Sequence, residues 1–336
     1  MSRITRRHFI TIGAGAACAS ALPLRMLAYQ YDKTMSENQH FDVIIIGGSY
    51  SGLAAGMALG RSLRRVLIVD GGRPCNRQTP YSHNFITQDG VPPHQIAAIA
   101  RQQVERYTTV EFLNGLVTDI TATDTGFDLH VDQRLGFSAK KIVFATGIKD
   151  LLPPIKSIDA CWGISVLHCP YCHGYEVRDE TTGVLANGDH GFELARLISN
   201  WTKNLTMFTN GPSTLTTEQA EKLRQHDIQI METAITELKH ADGQLHHMHF
   251  SGGSVRAITA VYTHAPFEQH CPLPRSLGCE FTEEGYIKVD PLQRTTVPGI
   301  YACGDSTTRL RTVANAVSSG TTAGMMLNKD LITEEF

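Results

Sequence analysis

The sequence predicts an α/β fold made of Rossmann-like, three-layer nucleotide-binding units, and three observations carry that expectation. Two separate stretches read as strand, glycine turn, helix and strand. The opening strand of the first, Val43-Ile44-Ile45-Ile46, is a continuous apolar, β-branched run rather than an alternating one, so both its faces must be covered, as in a parallel sheet. The 29 glycines are spread along the chain, which many tight strand-to-helix turns require. A length of 336 residues points to about two domains. The net charge of −3 gives no footprint for nucleic acid or for a strongly acidic partner. Eight cysteines in so long a chain do not make the dense framework of a small secreted scaffold.

Residues 1–40 read as leader and linker. Thr5-Arg6-Arg7-His8-Phe9-Ile10 has the pattern of a twin-arginine export signal. The apolar run from Ile10 to Ala21 ends in Ala19-Ser20-Ala21, a cleavage-type site, and is too short to anchor in a bilayer. The expected location is therefore periplasmic or otherwise exported; a start at Met35 would leave the protein in the cytoplasm. No other segment approaches membrane-spanning length.

The first βαβ unit takes Asp42-Val43-Ile44-Ile45-Ile46 as strand, Gly47 to Gly52 as turn, a helix from about Ser51 to Leu63, and Val66-Leu67-Ile68-Val69-Asp70 as the next strand. Lys141 to Phe144 reads as another strand, with Ala145-Thr146-Gly147 as its turn, and Leu152-Pro153-Pro154 as a hinge. The second unit takes Gly183 to Asn187 as strand, Gly188 to Gly191 as turn, Phe192 to Trp201 as helix and Leu205 to Thr209 as strand. Residues 235–262 alternate like an antiparallel meander, and a last helix is expected from about Val313 to Leu327.

The first turn is a dinucleotide fingerprint with one change, Gly47-x-Ser49-x-x-Gly52. Gly47 permits the tight turn and Gly52 lets the helix lie close to the strand, while Ser49 is small enough for a backbone that must approach a diphosphate. The helix start offers free amides and a positive dipole. Asp70 follows Gly47 by 23 residues, near the spacing of about 20 expected for a ribose-binding acid. Toward the C-terminus, Gly299-Ile300-Tyr301-Ala302-Cys303-Gly304-Asp305 puts an aspartate directly after a buried strand, where it can hold the ribityl chain of a flavin. Between these signals lies Cys169-Pro170-Tyr171-Cys172-His173, two thiols at disulfide spacing with a proton carrier beside them. A Cys-x-x-Cys pair alone is weak evidence of redox work. Zinc is the competing use, with Cys161, His168 and His173 nearby, but no second pair follows at zinc-ribbon spacing, and no metal is expected.

With these motifs in this order, residues 41 to about 328 resemble the low-molecular-weight thioredoxin reductases, FAD-dependent members of the pyridine nucleotide–disulfide oxidoreductases. The resemblance implies an FAD-binding domain in two segments, 41–152 and 265–336, around a smaller inserted NAD(P)-type domain, 153–264, that carries the cysteines. It also implies a homodimer acting on a dithiol or disulfide, either a small molecule or a thioredoxin-like protein. The implied redox centre is Cys169, Cys172 and His173, with Cys172 as the flavin-side sulfur. The implied FAD contacts are the first turn (Gly47, Gly48, Ser49, Ser51 and Gly52), Asp70 and Gly71, Asn84 in a loop near the flavin, Ala145, Thr146 and Gly147, Gly304 and Asp305, and Val313 and Ala314 at the last helix.

Two departures from the family pattern steer the functional expectation. His173 stands where the family usually has an acid, and Cys172-His173-Gly174-Tyr175 resembles the branch that includes gliotoxin-type dithiol oxidases. The inserted domain's turn, Ala186-Asn187-Gly188-Asp189-His190-Gly191, lacks the first glycine of a fingerprint, and its next strand ends in Thr209-Asn210-Gly211-Pro212 with neither a carboxylate nor an arginine. Lys222 and Arg224 come later, on an expected helix. The sequence thus favours an FAD-dependent dithiol oxidase working without NADPH, with an NADPH-dependent thioredoxin-type disulfide reductase as the rival.

Overall fold

The structure, a computed structural model, describes residues 39–132 and 135–336. The twin-arginine pattern, the cleavage-type site and Met35 lie outside the described residues.

The chain opens with β1 (Gln39–Ile46), α1 (Tyr50–Arg61), β2 (Val66–Asp70), α2 (Pro93–Val104) and β3 (Val110–Asn114). A meander follows, β4 (Val117–Thr123), β5 (Gly126–Val131) and β6 (Leu135–Phe144), then the short β7 (Ile148–Asp150). Strands β1 to β6 form one sheet in the order β3-β2-β1-β6-β5-β4. The chain then leaves this sheet through α3 (Ile158–Cys161), β8 (Val166–Leu167), α4 (Pro170–His173), β9 (Thr182–Leu185), α5 (Gly188–Ile198), β10 (Leu205–Phe208), α6 (Thr217–Gln225) and β11 (Gln229–Met231). A second meander, β12 (Ile235–Ala241), β13 (Gln244–Phe250) and β14 (Val255–Ala257), precedes β15 (Ala260–Thr263), which completes a smaller sheet in the order β11-β10-β9-β15-β8. Return is by β16 (Phe267–Gln269) and α7 (Leu273–Ser276) to β17 (Ile300–Ala302) and the final helix α8 (Val313–Glu335). Strand β17 pairs in parallel with β6, making the larger sheet seven-stranded, so that sheet draws on both ends of the chain. The outgoing β7 and returning β16 pair antiparallel, clasping the two crossings together.

Side-chain alternation explains the layers. In β1, Val43 and Ile45 face Leu53, Ala55 and Leu59 of α1 and Ala323, Leu327 and Leu331 of α8, all of them buried. In the smaller sheet, Val184 faces Leu194, Ala195 and Ile198 of α5, while the next residue, Leu185, faces Leu238, Met248 and Phe250 of the second meander. Helices on one face and a meander on the other give the three layers of this smaller unit.

Three boundaries differ from the sequence reading. Helix α5 starts at Gly188, because Asn187 caps it, so the expected turn is already helical. The meander ends at Ala257; β15 leaves it and pairs in parallel between β9 and β8, its Ala260–Thr263 run being buried throughout. Helix α8 runs to Glu335, since Leu331 still reaches the core after the apolar pattern thins.

Candidate active site

The C-terminal ends of β1, β6 and β17 converge on one edge of the larger sheet, the usual place for a ligand in such sheets. There the Gly47 N–H donates to Val69 O, the Ala145 N–H to Ile46 O and the Cys303 N–H to Phe144 O. A cavity of about 770 Å³ opens at this edge. It runs from Asp70 and Gly71, past Gly47, Gly48, Ser49 and Ser51, then Ala145, Thr146 and Gly147, to Asp305, Val313, Cys172 and His173. Thirteen of the eighteen residues expected at the site therefore line one continuous hollow.

The remaining five stand apart. Gly52 is a packing position: a Cβ there would lie 1.9 Å from Gly47 O. Gly304 is buried beneath the site, its N–H donating to Ser319 Oγ at 3.0 Å. Ala314 and Asn84 are exposed and do not line the cavity; Asn84 sits in a left-handed turn whose N–H donates to Asp89 Oδ1 at 2.8 Å. Cys169 is 9% exposed and lies behind its partner, disulfide-bonded to Cys172.

The start of α1 is shaped for an anion. Its N-cap Ser49 makes no capping bond, its first turn carries no acid, and Gly48 N–H is oriented by Asp70 Oδ1 at 3.1 Å. Free amides at a helix start seek an acceptor. At the far end, Thr146 Oγ1, His168 Nε2 and Arg311 Nε are buried without hydrogen-bond partners, and their residues line the same cavity. A long ligand with a diphosphate in the middle and polar ring atoms at one end would satisfy both, so the residues present fit FAD.

The start of α5 is shaped differently. Asn187 Oδ1 accepts from Gly188 N at 2.9 Å, from Thr214 N at 2.8 Å and from Thr214 Oγ1 at 3.2 Å, and Asn187 Nδ2 donates to Pro212 O at 2.9 Å. The loop after β10 is thus stapled over the turn after β9, and Asp189 stands in the first turn. The Gly188 N–H at this helix start is thus already paired within the protein. Lys222 and Arg224 are exposed, and Arg224 lines a separate hollow of about 330 Å³ with Ser213, Thr216, Thr217 and Glu232.

The redox hairpin is set by local chemistry. Pro170 begins α4, and Cys169 caps it, its sulfur accepting from Cys172 N at 3.1 Å. A donor on that sulfur favours negative charge there once the disulfide opens. Tyr171 packs edge-on against Trp201 with ring centroids 5.5 Å apart. Gly174 allows this approach, since a Cβ would lie 2.6 Å from Trp201 Nε1. Burial, with a contribution from the charge of His83, lowers the His173 pKa to about 4, so its imidazole is neutral and able to take a proton near pH 7. Burial lowers His168 further, to about 3, with Arg311 adding to the effect. Burial raises Asp305 to about 6, opposed by Arg311.

Sequence reasoning missed Arg311, Asp150, His168 and Asn76, all on the cavity wall. Arg311 and Asp150 form a nearly buried ion pair, 12% and 9% exposed. Only the rule that a buried charge needs a partner hints at it, and that rule does not name the partner. His264 pairs with His190 at 2.8 Å, ring nitrogen to ring nitrogen. Cys271 and Cys279 are free thiols and do not pair. Among the described residues, no three His, Cys, Asp or Glu side chains are grouped to hold a metal ion, and no helix is long and apolar enough to cross a membrane.

A family model described as pyridine nucleotide-disulphide oxidoreductase matches residues 41–320. Thioredoxin reductase tcpT of Claviceps purpurea is 33% identical over 315 residues, covering 89% of this chain and 97% of that protein. Thioredoxin reductase aclD of Aspergillus oryzae is 26% identical over 308 residues, covering 88% of this chain and 98% of that one. The crystal structure of an oxidoreductase from Agrobacterium tumefaciens superposes with a TM-score of 0.82 at 35% identity, covering 88% of this chain and 99% of that chain.

Proposed function

The chain belongs to the pyridine nucleotide-disulphide oxidoreductase family, flavin-dependent oxidoreductases acting on sulfur groups, and on that premise we propose that it works as a dithiol oxidase without NADPH. The observation that carries the direction is the contrast between two helix starts: α1 presents free amides, whereas α5 is capped by Asn187, stapled to Thr214 and Pro212, and headed by Asp189. A phosphate fits the first and is refused by the second.

In this reading residues 41–152 and 265–336 form the FAD-binding domain and 153–264 the inserted one. The amides at the start of α1 would hold the diphosphate, Asp70 a ribose, Asp305 the ribityl chain, and Ala145 to Gly147 the wall beside the ring. When bound, FAD would supply a two-electron acceptor for the cysteine pair, with dioxygen or another oxidant as the terminal acceptor.

The protein's own groups handle the sulfur chemistry. A substrate thiolate attacks Cys169, forming a mixed disulfide as the Cys169–Cys172 bond breaks. The second substrate thiolate attacks its own sulfur in that mixed disulfide and leaves as product, with both cysteines reduced. Neutral His173 takes the proton of the incoming substrate thiol and, as imidazolium, steadies the Cys172 thiolate released when the disulfide opens. Electrons and protons balance: the dithiol loses two of each, and reduction of dioxygen to hydrogen peroxide consumes two of each. We place the protein outside the cytoplasm, where nicotinamide nucleotides are scarce, and as a homodimer.

The second reading, an NADPH-dependent reductase of a thioredoxin-like disulfide, is favoured by Arg224, whose hollow with Ser213 and Thr216 has the hydroxyls and cation a 2′-phosphate would use. Anaerobic titration of the flavin spectrum separates the two. Dithiothreitol should bleach the flavin and excess NADPH should not; rapid bleaching by NADPH overturns the oxidase reading.

A further inference from the structure

The sulfur chemistry leaves a proton on His173, inside the cavity, and the proton needs a way out. One side chain on the cavity wall connects to surface carboxylates. His83 lines the same hollow as Cys172 and His173 and is 18% exposed. Its Nδ1 lies 3.5 Å from Glu176 Oε1, just past the redox hairpin, and 3.6 Å from Asp89 Oδ1, across its own loop. Asp89 is held for this contact, because its Oδ1 also accepts from Asn84 N at 2.8 Å. The loop itself is pinned by Ser82 N–H donating to Val91 O and Gly90 N–H donating to Ser82 O. The outer carboxylate is open to water, Asp89 being 68% exposed, and Glu176 is 39% exposed.

We propose that His83 relays protons between His173 and solvent, through Asp89 and Glu176. The inference rests on the dithiol-oxidase reading for its direction and on geometry for its route. A carboxylate at Nδ1 favours the tautomer with Nδ1–H, which leaves Nε2 as the acceptor. His173 gives its proton to His83 Nε2, the Nδ1 proton passes to Asp89 or Glu176, and water carries it off. No electron moves in this step and one proton enters and leaves. Asp89 and Glu176 lie within 3.6 Å of His83 Nδ1 and His173 shares its cavity wall, so the path has one inner and two outer ends. His83 acts through His173 and is a positioning residue, whereas His173 meets the reacting sulfur.

The experiment uses flavin-loaded protein. Anaerobic stopped-flow with dithiothreitol follows flavin bleaching in wild type, His83→Gln and His83→Ala. Both variants are expected to bleach at least about tenfold more slowly, below the range for a direct acid–base group, and added imidazole should restore His83→Ala. A normal rate in both variants overturns the relay; so does a slow rate that imidazole leaves unchanged, which marks a merely structural role. Nitrogen-15 NMR of the histidine rings gives a readout without turnover, and finding His83 protonated at Nε2 rather than Nδ1 also overturns it. If NADPH rather than dithiothreitol bleaches the wild type, the oxidase reading fails separately, and the same variants test the relay in the NADPH-driven direction, where the proton runs inward.

Discussion

Arg311 holds Asp150 with both terminal nitrogens, at 2.7 and 2.8 Å, across a sequence separation of 161 residues. The pair ties the segment before α8 to the end of β7, at the cavity wall. Removing one partner strands a charge with little access to water. Asp150→Ala is therefore expected to cost about 3–5 kcal/mol of stability, while Asp150→Leu combined with Arg311→Met recovers most of that loss. Urea unfolding midpoints of the three proteins check it.

Cys172 faces the cavity and Cys169 lies behind it, so each sulfur is required for a different contact. Cys172→Ser is expected to retain bound flavin and to lose dithiol-driven bleaching by about 10³-fold or more, the scale of removing a covalent nucleophile. Stopped-flow absorbance measures the loss, and flavin content after gel filtration checks retention. Bleaching at a normal rate would exclude the cysteine pair from the electron path.

In the proposed cycle His173 is the base, and a base must be unprotonated. With its pKa held down to about 4, bleaching should stay fast down to about pH 5 and fall only as the pH drops through 4. An acid limb near the ordinary histidine value of about 6.5 would contradict the burial of this ring. His173→Gln is expected to slow bleaching about 10²–10⁴-fold and to remove the limb.

Buried neutral histidines also shape acid stability. His168 binds its proton near pH 6.5 when unfolded but only at about 3 when folded. Between those values the unfolded chain holds more protons, so stability is full above about 6.5 and falls as the pH is lowered toward 3. The melting temperature should drop between pH 6.5 and 4.5, and drop less in His168→Leu. Equal slopes in the two proteins would count against it.

Gly52 closes the first turn onto the strand. Its missing Cβ would stand 1.9 Å from Gly47 O, so Gly52→Ala must push α1 away from the sheet and spoil the free amides at its start. Purified Gly52→Ala is expected to be pale, with flavin occupancy well below that of the wild type by absorbance.

Much of this was legible in the sequence because the signals are local. A glycine turn between a buried strand and a helix occupies a dozen residues, and Asp70 lies one strand away. The Cys-x-x-Cys pair and His173 are neighbours in the chain. What stayed hidden depends on distant segments meeting. Asp150 and Arg311 carry no pattern at either end, and His168 gains its role from the wall around it. Asn84 shows the reverse: its loop was expected near the site, yet its side chain points to solvent, and the neighbouring His83 reaches the cavity instead. The end of the second meander was misread because β15 follows β14 in the chain after two residues while pairing elsewhere, in parallel between β9 and β8.

The larger sheet borrows β17 and α8 from the end of the polypeptide. During synthesis the smaller sheet, complete at Thr263, has all its strands while its companion still lacks an edge and a covering helix. The apolar flank of β6 and the buried side of α1 must wait, unclad, until the ribosome has released everything from Ile300 onward. Translation stalled late should thus yield a half-finished molecule whose exposed surface invites chaperones, and loss of the tail would forfeit the half proposed to grip the coenzyme.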